Sequence, residues 1–117
     1  MTARAFFGRS RAPLAVSAPS IAAFAVNNPP GNQSATVSGA STATASGGTP
    51  PYTFAWTRQS FSGPPAIRDD TTTARLIVSV TSTPFSYTSV ERVTVTDALG
   101  ATASFDIPVS LNLESGL

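Results

Sequence analysis

Apolar and polar side chains alternate with a period of two along most of the chain after residue 50. In segment 52–58, three aromatic residues fall on the same face of this pattern: Tyr52, Phe54 and Trp56. Successive side chains of a β-strand point to opposite faces of its sheet, so this alternation indicates a half-buried strand. The pattern therefore predicts a strand here, with Trp56 as the central core residue.

A second alternating run predicts another strand with one buried face. Its inward positions are Ala74, Leu76, Val78 and Val80. An earlier stretch alternates more weakly and carries small inward side chains, namely Ala35, Val37, Ser41, Ala43 and Ala45. We expect this stretch to form a strand whose small face leaves room for Trp56.

Residues 93–113 predict a hairpin made of two long strands. Val93 and Val95 alternate with threonines up to Asp97. Asp97 can accept hydrogen bonds from backbone amides within the turn, and Gly100 can adopt a positive φ, so the two residues fix the register. The inward positions after the turn are Ala103, Phe105, Ile107, Val109, Leu111 and Leu113.

The predicted hairpin leads to two further expectations. Trp56 should be buried between two sheets, against residues such as Val95 and Phe105. Pro108 lies inside the last strand, and because proline has no backbone N–H it is tolerated only at an edge or a bulge of a sheet. We therefore expect the C-terminal strand to be an edge strand.

Composition favours an all-β domain and argues against catalysis. Sixteen Ser, sixteen Thr, eight Gly and ten Pro favour strands and turns, and 117 residues correspond to a single domain. The chain has no Cys, which excludes disulfides and thiolate sites. It also has no His and no Lys, so the commonest general base is missing and nothing obvious could activate a serine. We expect no enzymatic activity and no cofactor.

The charged residues argue against binding of a metal or of nucleic acid, and the short apolar runs argue against a membrane span. Asp69 and Asp70 are the best candidates for a calcium site, but calcium takes about six to eight oxygen ligands and no Asp-x-Asp ladder is present. We expect the two residues to lie together in a loop. Seven basic and six acidic residues give a net charge of +1, too balanced for wrapping a polyanion. No apolar run approaches the roughly 20 residues that cross a bilayer.

The first 20 residues differ in composition from the rest of the chain. They contain three of the seven arginines, two adjacent phenylalanines and no acidic residue. Prolines and serines interrupt the apolar run from residue 14, so we expect no cleaved secretory signal. We interpret residues 1–20 as an extended N-terminal arm and residues 21–117 as the folded domain. The predicted partner-binding residues combine apolar anchors with fixed charges: Arg4, Phe6, Phe7, Arg9 and Arg11.

Two motifs, in this order, resemble a known family. The first is SGGTPPYTFAW at residues 46–56, and the second is VTVTDALGATA at residues 93–103. Over about residues 34–113 the chain resembles the bacterial and phage immunoglobulin-like domains of the PKD type. It departs from that family at residues 59–64, which replace a Gly-Asp-Gly turn. The resemblance implies an all-β, immunoglobulin-like antiparallel β-sandwich, here preceded by the extended N-terminal arm, and such a sandwich needs no disulfide.

These expectations favour a non-enzymatic structural protein of a bacteriophage virion. Such a subunit would decorate the capsid or tail, with its arm bound to other virion subunits and with weak contacts to glycans or cell surfaces. It would be assembled in the cytoplasm of the bacterial host. The resemblance implies only that such domains are common on phage and bacterial surfaces. The alternative is a bacterial cell-surface or secreted immunoglobulin-like module that mediates adhesion or binds carbohydrate.

Overall fold

The computed structural model describes residues 12–27 and 33–115. Within these ranges the chain forms nine strands and no helix, as the sequence predicts. In chain order they are β1 (Ala15–Ser17), β2 (Ile21–Val26), β3 (Ala35–Thr42), β4 (Thr44–Ser46), β5 (Thr53–Ser62), β6 (Ile67–Asp69), β7 (Arg75–Ser82), β8 (Phe85–Thr96) and β9 (Thr102–Glu114).

The strands form two main sheets and one small one. The larger sheet has the order β2-β9-β8-β5, the second has the order β3-β7-β6, and β1 pairs with β4. Every pair is antiparallel except β2 with β9, which is parallel. Inward side chains of the two main sheets share one apolar core, which includes Leu76, Val78, Tyr87, Val93 and Leu111. This two-layer arrangement is consistent with a β-sandwich.

Trp56 occupies the core, as the aromatic alternation predicts. It lies opposite Val93 in the pairing of β5 with β8, and only 3% of its surface is exposed. Its indole N–H donates a hydrogen bond of 3.0 Å to the carbonyl of Thr73, in the loop before β7. The one polar group of a large apolar side chain is therefore satisfied where it meets the second sheet.

Small side chains on β3 let the two sheets approach closely. A Cβ atom at Gly39 would collide with the side chain of Ile21, which lies on β2 in the other sheet. The Ser41 hydroxyl donates a hydrogen bond of 2.6 Å to the carbonyl of Pro19. The inward side chains are small, as predicted, but the predicted single strand is split in two: β3 pairs with β7, and β4 pairs with β1. At Gly39 the small face accommodates Ile21.

The last strand differs from its prediction in two respects. Phe105, predicted to be buried against Trp56, is 40% exposed. The prediction of an edge strand is wrong for the second half of β9, because β2 pairs with it from Val109 to Glu114. Pro108 directly precedes this pairing, so its missing N–H falls where β9 has β8 as its only strand partner among the described residues. Phe105 lies in that same uncovered half.

Part of the segment interpreted as an arm belongs to the folded domain. Ala15–Ser17 pairs with Thr44–Ser46, and Val16 is buried in the core. Three residues are too few for a period of two to be recognised in the sequence. Residues 1–11 lie outside the described residues.

Replacing Trp56 with alanine should lower the free energy of unfolding by about 3–5 kcal/mol, because it leaves a cavity and an unpaired carbonyl at Thr73. Urea unfolding followed by circular dichroism measures this loss. Leu99→Ala is the control, since Leu99 is 80% exposed and its removal should change stability by less than about 0.5 kcal/mol. Equal losses in the two variants would show that Trp56 is not a core residue.

Candidate functional site

Two glycines attach the start of the described chain to the domain. Gly48 donates a backbone hydrogen bond of 3.0 Å to the carbonyl of Ala12. Both Gly47 and Gly48 have positive φ, 70° and 57°, and a Cβ at Gly47 would collide with the carbonyl of Pro13. Only glycine fits a position that combines this backbone conformation with so close an approach. The turn therefore holds residues 12–14 against the sandwich.

Asp97 connects that turn to the β8–β9 hairpin. Its carboxylate accepts hydrogen bonds from the backbone amides of Leu99 and Ala101, at 2.9 Å each, and of Thr49, at 3.0 Å. These bonds, led by the one from Thr49, hold the pKa of Asp97 below its usual range, although desolvation opposes them. The predicted turn geometry is confirmed, because Asp97 accepts hydrogen bonds from backbone amides within the turn and Gly100 has a φ of 88°.

Residues 12–14, 47–49 and 97–100 thus meet at one end of the sandwich, which we call the hairpin end. Leu99 projects from it with 80% of its surface exposed. The predicted partner-binding residues, Arg4, Phe6, Phe7, Arg9 and Arg11, lie outside the described residues. Because Ala12 is fixed at the hairpin end, the segment that carries them joins the domain at this end.

A buried ion pair joins the two main sheets. Arg68 on β6 donates two hydrogen bonds to the Glu91 carboxylate on β8, from Nε at 2.8 Å and from Nη2 at 2.7 Å. The Glu91 side chain is fully buried, and the Arg68 side chain is 21% exposed. Arg68 Nη2 also donates to the carbonyl of Trp56, at 3.0 Å. One guanidinium therefore holds two strands of the opposite sheet.

The parity of β8 holds a sequence signal for this ion pair. Glu91 occupies the same parity on β8 as Val93 and Val95, so the pattern itself puts a carboxylate on the buried face. A buried carboxylate requires a partner, and Arg68 follows two residues after Ala66 in a stretch too short to read by periodicity. Since both oxygens of Glu91 accept from Arg68, the pair is suited to holding the sheets together rather than to proton transfer.

A shallow groove lies between β5 and β8, beyond an irregularity in their pairing. The register shifts between Arg58 and Ser60, which marks a β-bulge. The groove has a volume of about 290 Å³ and is lined by Ser60, Phe61, Ser62, Thr88, Ser89 and Val90. Most of its lining is hydroxyl-bearing, with one aromatic ring.

Aromatic and cationic groups are stacked beside this groove. The Arg58 guanidinium carbon lies 4.0 Å from the ring centre of Phe61, and the rings of Phe61 and Tyr87 are stacked with centres 6.3 Å apart. The buried hydroxyls of Tyr87 and Ser89 have no hydrogen-bond partner among the described residues. Strand alternation places Phe61 and its partner Ser89 on one face of the sheet, and the hydroxyls of Ser60, Ser62 and Thr88 on the other. The face that carries Phe61 therefore offers an aromatic ring and the adjacent Arg58 guanidinium to a small ligand.

The carboxylates considered for calcium do not converge with others. Asp69 is the last residue of β6 and Asp70 begins the following turn with a φ of 62°, so only Asp70 lies in a loop. No group of three or more Asp or Glu side chains suited to a metal ion occurs in residues 12–27 and 33–115. The same residues contain no helix long and apolar enough to span a membrane.

Comparisons of the chain with protein-family models, with curated proteins and with solved structures found no match.

Replacing Arg68 with alanine should destabilise the domain by about 3–5 kcal/mol, because the Glu91 charge is then buried without a partner. The double variant Arg68→Met, Glu91→Leu should be more stable than Arg68→Ala, since it buries no charge. Chemical denaturation measures both. Arg92→Ala is the matched control, because Arg92 pairs with Asp106 at the surface, where both side chains are 44% exposed, and should cost much less. Similar losses for Arg68→Ala and Arg92→Ala would contradict the structural role of the buried pair.

Proposed function

We propose that the domain has an immunoglobulin-like topology. Taking β1 with β2 as the first strand of that fold and β3 with β4 as the second, the remaining strands follow in chain order. The second sheet, β3-β7-β6, then corresponds to strands B, E and D, and β5-β8-β9 corresponds to C, F and G. The buried tryptophan on β5 matches the position of the core tryptophan on strand C.

We further propose that this chain is a non-enzymatic structural subunit of a bacteriophage virion, which decorates the capsid or tail. The observation that carries the proposal is the attachment of Ala12 to Gly48 at the hairpin end. Ala12 is the first described residue, and it lies at the end of the sandwich from which Leu99 projects. Apolar and cationic side chains are the composition of a binding surface, and residues 4–11 supply both kinds.

Binding through this arm accounts for the contrast between the two parts of the chain. The hydrogen bond from Gly48 ties Ala12 to the domain, so residues 1–11 join the domain at the hairpin end. Ordering an extended segment costs about 1–2 kcal/mol per residue in backbone entropy. Phe6 and Phe7 as apolar anchors, with Arg4, Arg9 and Arg11 paired to carboxylates or carbonyls of another virion subunit, would offset that cost.

Deleting residues 2–11 should leave the melting temperature nearly unchanged and abolish incorporation into virus particles. Thermal unfolding of the purified variant measures the first effect. Mass spectrometry of particles purified after complementation of the source phage measures the second. A variant with Leu99→Ala and an intact arm is the control for the contribution of the hairpin end.

Two results would overturn this proposal. Normal incorporation of the deletion variant would remove the role of the arm. Absence of the full-length chain from purified particles would remove the virion function. A large drop in melting temperature would instead assign residues 1–11 to the fold of their own domain.

The groove between β5 and β8 favours a second function, that of a bacterial cell-surface or secreted module that binds carbohydrate or mediates adhesion. The half-exposed ring of Phe61 could contact the apolar face of a sugar. Arg58 beside that ring could pair with a carboxylate on the same ligand.

The carbohydrate function predicts that the Phe61→Ala, Arg58→Ala double variant loses binding to glycans. Screening the wild type on a glycan array that includes uronic and sialic acids, followed by calorimetry on any positive, tests this. The variant should weaken such binding by at least about tenfold, since it removes both an apolar and a charged contact. Phe105→Ala, which removes a similarly exposed ring on β9, is the control. No binding by the wild type, or equal binding by both variants, would exclude this groove as a glycan site.

A further inference from the structure

The strand β2 forms one edge of the larger sheet, and its sequence lacks the usual protection of an edge. Its six residues, IAAFAV, contain no charge, no proline and no glycine. Edge strands of monomeric proteins are commonly protected by charged residues, prolines, bulges or a covering segment, because their unpaired backbone groups otherwise bind another strand. Along β2, none of these occurs within the described residues.

The outward face of β2 is also apolar. Phe24 is 62% exposed and Val26 is 48% exposed, and both lie on the side of the sheet opposite the core. The adjacent outward positions on β9 are polar, namely Ser110, Asn112 and Glu114. The apolar surface is therefore a narrow stripe that follows the edge strand itself, with polar residues on its inner side.

The direction of the free backbone groups follows from the pairing with β9. Asn27, the residue after β2, donates its N–H to the carbonyl of Glu114 at 2.9 Å, so this odd-numbered residue turns toward β9. Peptide groups alternate in direction along a strand, so Ala22, Phe24 and Val26 turn their N–H and C=O groups away from β9. These are the same three residues whose side chains face outward.

We propose that a second copy of this chain pairs with β2 along this edge, antiparallel and related by a two-fold axis that passes beside Phe24. Two copies of an uncharged strand bring no like charges together, and each satisfies the free backbone groups of the other. The apolar side chains that are exposed in one copy are covered by those of its partner. The resulting sheet would run continuously through both molecules.

The position of the axis follows from the length of the strand. A register centred on Phe24 places Phe24 opposite its symmetry mate and Ala22 opposite Val26, so all three outward residues are paired. Shifting the centre to Ala23 or Ala25 leaves one of them beyond the end of the partner strand. The Phe24 register therefore makes the most backbone hydrogen bonds and covers the most apolar surface. This association does not depend on residues 1–11, so it goes beyond the arm-mediated binding proposed above.

Cysteine cross-linking tests both the pairing and its register, because the 117 residues of the chain include no Cys. Opposed residues in an antiparallel pair have Cα atoms about 5.5 Å apart, within the range that a disulfide spans. Phe24→Cys should form a disulfide-linked dimer on mild oxidation. A mixture of the Ala22→Cys and Val26→Cys chains, each of which keeps Phe24, should form a linked heterodimer several-fold faster than either chain alone. Thr72→Cys, at an exposed position in the turn between β6 and β7, measures random collision.

Sedimentation of the wild type and of Phe24→Asp provides the second measurement. The wild type should show a concentration-dependent dimer, and Phe24→Asp, which opposes two carboxylates, should weaken it by at least about tenfold. A wild type that remains monomeric at every concentration overturns the proposal. So does cross-linking of the β2 variants at the rate of Thr72→Cys. A dimer that forms with unchanged affinity in Phe24→Asp would place the interface elsewhere and would equally overturn the proposal.

Discussion

The alignment of the two main sheets depends on one interaction, the ion pair of Arg68 with Glu91. The guanidinium leaves β6 of one sheet, binds both oxygens of Glu91 on β8 of the other, and donates to the carbonyl of Trp56 on β5. A buried carboxylate without a partner strongly destabilises a fold. Sliding one sheet relative to the other would separate Glu91 from Arg68 and leave its charge unpaired. Apolar contacts tolerate small displacements, whereas a paired guanidinium and carboxylate require a defined geometry. The bridge thus fixes the alignment of a core whose other contacts are mainly apolar.

The sequence predicts those parts of the fold that depend on regular alternation or on turn chemistry. The core position of Trp56 follows from period two, and the hairpin with Asp97 and Gly100 follows from the demands of a tight turn. Parity could not predict the exposure of Phe105, because parity names a face of the sheet and does not show where the opposite sheet ends. Pairing of β2 with β9 is likewise hidden, since the two strands stand far apart in the sequence and pair in parallel.

The candidate sites differ in the same way. The sequence indicates the turns that form the hairpin end, because Gly47, Gly48 and Asp97 are residues with strong turn preferences. The groove beside Phe61 could not be predicted from the sequence. It depends on a register shift between Arg58 and Ser60, and no local sequence pattern indicates that shift. The predicted binding role of Arg4 and Phe6 rests on their side-chain types alone. Their binding role remains a prediction, and the structure contributes the place where their segment joins the domain.

The two edge strands of the larger sheet, β5 and β2, differ in whether their free backbone groups are hydrogen-bonded within the described residues. At β5, the backbone N–H of Trp56 donates to the carbonyl of Thr71 and its C=O accepts from Arg68, so the free side of the strand is bonded to the second sheet. Beyond that point the β-bulge after Arg58 disturbs the strand where it would otherwise be open. At β2 there is no comparable bond on the free side within the described residues, and the exposed side chains are apolar. Since both edges belong to one sheet and experience the same solvent, protection of one and not the other is the arrangement expected if β2 is an interface and β5 is not.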